Sequence, residues 1–108
     1  MILTGKQAYN AIIQYVGKYN NEVNNEEDVI KAIEDIKAKE ASIIKNQYSE
    51  LNAYKKMISL LDDYYNRTES DNIGAFLGEI DLIEDYVSMD PAAWEDWVNI
   101  VRQVVNRI

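Results

Sequence analysis

One proline, Pro91, and four glycines, Gly5, Gly17, Gly74 and Gly78, are the only strong helix breakers in this chain of 108 residues. No stretch alternates β-branched with polar residues, so helix is the expectation throughout, without a strand. At this length a second independent core is not affordable, and the reading is one domain over residues 1–108, a compact all-α bundle of about five helices.

Local signals place the helices. Thr4 and Gln7 have capping-box spacing, and Ala8, Ile12, Val16 and Tyr19 continue an apolar stripe, which predicts a first helix over about residues 5–21. Asn24 and Asn25 interrupt it, and Glu26, Glu27 and Asp28 put negative charge on the first turn of the next helix, whose inner face is Val29, Ile33 and Ile36. Between one rod through residues 26–66 and two helices, the sequence favours a break near Asn46 to Ser49. Capping residues from Thr68 to Asp71 predict a fourth helix burying Ile73, Phe76, Leu77, Ile80, Ile83 and Val87. A fifth follows Asp90 as cap and Pro91 at the first helical position. Met89 and Trp94 have staple spacing, and Trp94, Trp97, Val98, Val101 and Val105 form its stripe.

A repeat favours the break. Ala8, Tyr9, Ile13, Tyr19 and Asn21 recur 45 positions later as Ala53, Tyr54, Ile58, Tyr64 and Asn66, with Thr4 matched by Ser49 and Val16 by Leu61. After a shift of one residue, Val29, Ile33 and Ile36 match Ile73, Leu77 and Ile80. Two helical hairpins of one design, residues 4–36 and 49–80, would produce this pattern; so would two unrelated amphipathic helices in register.

The net charge of −8 is confined to one part of the chain. Through residue 60 eight lysines balance eight acids, whereas beyond it three arginines face eleven acids. Such a field repels nucleic acid and anionic lipid and attracts basic proteins. Without histidine or cysteine, the commonest general base, soft metal ligands and disulfides are absent, and no glycine spacing makes a phosphate loop. The expectation is a protein that is not an enzyme and has no metal and no cofactor. Asp81 with Glu84 and Asp85 comes nearest to a magnesium-binding carboxylate set, but without a second matching pair a solvated acidic stripe is the favoured reading. No apolar run approaches the roughly 18 residues that span a bilayer and no export signal is seen, so the expected location is cytoplasmic. On the same ground the sequon Asn66-Arg67-Thr68 is read as chance.

Eight tyrosines stand against one phenylalanine. Tyr9, Tyr19, Tyr54 and Tyr64 occupy repeat-matched core-edge positions, whereas Tyr65 and Tyr86 lie off the inner stripes beside acids and suit an interface. Gly74 and Gly78 mark a groove where another backbone can approach, inside the chain or in a homodimer.

Asp63-Tyr64-Tyr65-Asn66-Arg67-Thr68-Glu69-Ser70-Asp71-Asn72-Ile73-Gly74-Ala75-Phe76-Leu77-Gly78, followed by Asp90-Pro91-Ala92-Ala93-Trp94-Glu95-Asp96-Trp97, resembles a pattern in small acidic bacterial immunity proteins of polymorphic-toxin and contact-dependent inhibition systems. The resemblance covers about residues 49–104, and Leu3 to Tyr9 is similar to the usual start of such proteins, so about 45 residues between them are extra. It implies an inhibitor that covers the basic site of a toxin, often a nuclease. The expected partner-binding residues are Asp62, Asp63, Asp71, Glu79, Asp81, Glu84, Asp85, Glu95 and Asp96, with Tyr65, Tyr86 and Trp97 as anchors. A phage-type nucleic-acid mimic that blocks a defence protein would use the same field. A helical oligomerisation module would use the charge only for solubility.

Overall fold

A computed structural model describes residues 1–81 and 91–106 of the chain. Six helices and one minimal strand pair make up these residues: β1 Ile2–Leu3, α1 Gly5–Glu22, α2 Glu27–Ala38, α3 Glu40–Ile44, β2 Tyr48–Ser49, α4 Glu50–Thr68, α5 Asp71–Ile80 and α6 Pro91–Val105. The all-α architecture read from the sequence is the architecture observed.

Helix starts follow their caps. The Thr4 side chain accepts from the Gln7 amide while the Gln7 side chain accepts from the Thr4 amide, the full reciprocal box. Ser49 and Ser70 cap α4 and α5 by accepting from the Asn52 and Ile73 amides. The two hairpin turns rely on left-handed residues, Asn24 and Asn25 between α1 and α2 and Glu69 between α4 and α5. Asparagine tolerates that conformation because its short polar side chain bonds locally, and here Asn20 donates to Asn25.

Three features differ from the sequence reading. The expected break before Ser49 is present, but the helix also breaks at Lys39, leaving α3 as a separate short piece. Strand pairing, not anticipated, joins Ile2 to Ser49 and Leu3 to Tyr48 in antiparallel register, which sets the starts of α1 and α4 side by side. The fourth predicted helix ends at Ile80, where Asp81 is extended. The Tyr54 hydroxyl donates to the Ile80 carbonyl and so satisfies an acceptor that a longer helix would have used. The predicted roles of Ile83, Val87, Met89 and Asp90 lie outside the described residues.

Gly5 is where the N-terminal turn of α1 meets α3. A Cβ placed there would lie 2.1 Å from the Ile44 carbonyl oxygen, so any side chain at residue 5 displaces the backbone of α3. The core itself is aromatic. Tyr19 stacks on Phe76 at 4.0 Å between ring centroids, and Tyr15, Tyr54 and Trp97 meet edge to face. Buried tyrosines use their hydroxyls on main-chain carbonyls: Tyr15 on Ala93, Tyr19 on Asn72, Tyr48 on Ile43 and Tyr54 on Ile80. Phenylalanine would fill the same space and leave those carbonyls unpaired, which accounts for much of the tyrosine excess.

On α6 the buried stripe is Ala93, Trp97, Ile100, Val101 and Val104. Trp94 and Val98 lie only half-buried at its edge. The stripe is thus turned from the one expected, and Trp97, offered as a partner anchor, is a core residue at 0% exposure. Its indole Nε1 donates to the Glu50 carbonyl at 3.0 Å, which ties α6 to the first turn of α4.

Candidate protein-binding surface

Two of the expected partner-binding acids stand in ion pairs within the chain. Asp63 is committed. Its carboxylate takes the Lys39 ammonium at 3.0 Å and the Arg67 guanidinium at 3.1 Å, and Asp35 completes the square with the same two cations at 3.2 and 2.9 Å. Lys39 holds the Asp63 carboxyl below the usual range, first through the hydrogen bond and then through its charge. Asp96 is committed likewise, to Lys18 at 3.1 Å, which also reaches Glu22 at 3.2 Å. These two expected contact acids are therefore partly neutralised by pairs within the chain, while their side chains stay about half exposed.

Asp62, Asp71, Glu79, Asp81 and Glu95 are exposed. Glu84, Asp85 and Tyr86 lie outside the described residues. Tyr65 is 36% exposed and rests against Gly74, where a Cβ would come within 2.7 Å of its ring. The groove at Gly74 is thus filled by the side chain of Tyr65 from α4, close packing within the chain, whereas Gly78 faces open space.

The fold also recruits acids that the sequence division by halves set aside. Asp28, in the first turn of α2, accepts from the Ser70 hydroxyl, from the Asn72 amide and, at 2.9 Å, from the Asn72 side chain. It therefore sits at the N-terminus of α5, where unsatisfied amides and the helix dipole favour an anion. Partial burial alone would raise its carboxyl, but the bonds from Ser70, Asn72 and the Val29 amide outweigh that and hold it below the usual range. Together with the Tyr19 bond to Asn72, this lock brings the turn between α1 and α2 against the turn between α4 and α5. Glu26, Glu27, Asp28 and Asp71 then line one open cleft, floored in part by Tyr64, with Lys31 the one cation on its wall and already paired to Glu27. Glu22 and Glu69 are exposed on the same two turns. Balanced charge in the N-terminal half concealed this pole, because part of that balance stands elsewhere: Lys6 bonds Glu40 beside Gly5, near the strand pair, and Lys39 bonds Asp63.

Among the described residues no group of three or more acids forms a cluster able to hold a metal ion. No described helix is long and apolar enough to cross a membrane. No family model, curated protein or solved structure matches this chain.

Proposed function

We propose that this protein works by binding a basic protein partner, as an inhibitor of the immunity type that covers the basic site of a toxin. The observation that carries the reading is the acidic pole, where Glu26, Glu27, Asp28 and Asp71 converge from two separate turns on one open cleft. Their carboxylates stand close together on the open cleft, and an opposing charge on a partner would be drawn to them. Exposed Asp62, Glu79 and Glu95 extend the negative field over α4, α5 and α6. Complementary charge of this kind speeds capture and falls off with salt.

The test is affinity capture with the tagged full chain from its native host, washed at low and then high salt, alongside a variant carrying Glu26→Gln, Glu27→Gln and Asp71→Asn. One basic protein, bound by the natural chain, released by salt and captured poorly by the variant, is the expected result. Equal capture by both chains, or binding indifferent to salt, would remove the acidic pole as the contact surface.

A further inference from the structure

The register of β1 with β2 is that of a two-fold axis. With matched positions 45 apart in α1 and α4 and 44 apart in α2 and α5, Leu3 pairs with Tyr48, its own counterpart, and Ile2 with Ser49, the counterpart of Thr4. Asp28 bonds Asn72, again its own counterpart, so the same axis runs between them. An axis of this kind relates the contact of α2 with α4 to the contact of α5 with α1.

Those two contacts carry different charges at matched positions. On the first, Arg67 lies between Asp35 and Asp63 and over the Tyr64 ring at 5.7 Å, with Lys39 closing the group. On the second, the counterparts of Asp35, Asp63, Arg67 and Tyr64 are Glu79, Lys18, Glu22 and Tyr19, which line a single cleft together with Phe76 and Asp96. Two acids and two bases balance in the first group; in the second, three acids surround Lys18 alone. Lys18 bonds Glu22 and Asp96, leaving Glu79 with no ion pair among the described residues. Burial raises both the Tyr19 and the Tyr64 hydroxyl; the charges of Glu79, Asp28 and Glu22 add to this at Tyr19, whereas at Tyr64 Lys31 and Arg67 oppose Asp28 and Asp35.

We propose that this cleft between α1, α5 and α6 receives a guanidinium side chain from the basic partner, held beside the Tyr19 ring by Glu79, the counterpart of Asp35, and by Glu22, which stands in the place of Arg67, with Lys18 in the place of Asp63. The inference rests on the reading of the chain as a binder of a basic protein. At about 120 Å³ the cleft has room for the head of one side chain, well below the roughly 300 Å³ at which pockets for whole small molecules begin. Arginine suits it better than lysine because its planar fork can engage two carboxylates and an aromatic ring together.

The full chain, labelled with nitrogen-15, is titrated with N-acetyl-arginine amide and separately with N-acetyl-lysine amide while backbone amide shifts are followed. Saturable shifts centred on Tyr19, Glu22 and Glu79, tighter for the arginine probe, are expected, and Glu79→Gln weakens that binding about tenfold without moving the thermal midpoint. Absence of saturable shifts, or binding unchanged by Glu79→Gln, overturns the assignment. Shifts confined to Glu26, Glu27 and Asp71 overturn it too, but leave the partner reading intact by moving the contact to the acidic pole. Loss of the partner reading itself would come from the capture experiment, not from this titration.

Discussion

Thr4 opens the hairpin of α1 and α2 just as Ser49 opens that of α4 and α5, and in both a buried tyrosine near the helix end, Tyr19 or Tyr64, stands beside the other hairpin's charged residues. The two hairpins differ in what is laid over them. The first turn of α1 is pressed against the end of α3 at Gly5, whereas the counterpart of Gly5 in α4 is Glu50, half-buried and carrying a full side chain. The matched helices start at matched positions, Gly5 with Glu50 and Glu27 with Asp71, and differences appear where a third element adds a contact.

The sharpest way to break the comparison is at that pair. Gly5→Ala is expected to cost about 3 kcal/mol or more, because the added methyl meets backbone, not a side chain that can swing away. Glu50→Ala, at the matched position, is expected to cost under about 0.5 kcal/mol. Urea unfolding of both variants measures the contrast, and similar losses would show that α3 yields easily.

A smaller effect is expected where the hairpins touch. Asp28→Ala should cost about 1–2 kcal/mol by leaving the Ser70 hydroxyl and the N-terminus of α5 without their acceptor. Because the folded carboxyl lies below its ordinary value of 3.8, this contribution is complete above that value and fades as pH falls through the lower folded one. Natural chain and variant should therefore converge in stability in strong acid; a gap that persists there would assign Asp28 a packing role instead.

The smallest effects concern the surface charges. Arg67→Met should lower the thermal midpoint by no more than a few degrees, with the loss shrinking as salt is added. Glu22→Arg, which copies Arg67 into the matched cleft, should raise the midpoint slightly. If it lowered it, the equivalence of the two sites would be wrong.

What could be read from the sequence was local. Thr4 with Gln7, Pro91 at the start of α6 and the apolar face of α5 are each decided by neighbours within a turn or two, and each stands as expected. Contacts set by distant partners were not legible. Gly5 meets Ile44 and Leu3 pairs with Tyr48, and nothing within a helical period of either residue signals this. Trp97 illustrates the same limit, since its staple-spaced neighbour Trp94 drew the core assignment while the carbonyl that holds Trp97 belongs to Glu50. The acidic surface was legible in sign but not in place: summing charge along the chain could not know that Asp63 would be spent on Lys39, or that Glu26 and Glu27 would come to lie beside Asp71.

In an assembly of two identical chains, every substitution at residue 22 would be imposed on both sides at once, and a site could be closed only by closing its twin. Here the matched residues, Glu22 and Arg67, are separate codons in one reading frame. Residue 22 can therefore change while Arg67 keeps its ion pairs with Asp35 and Asp63.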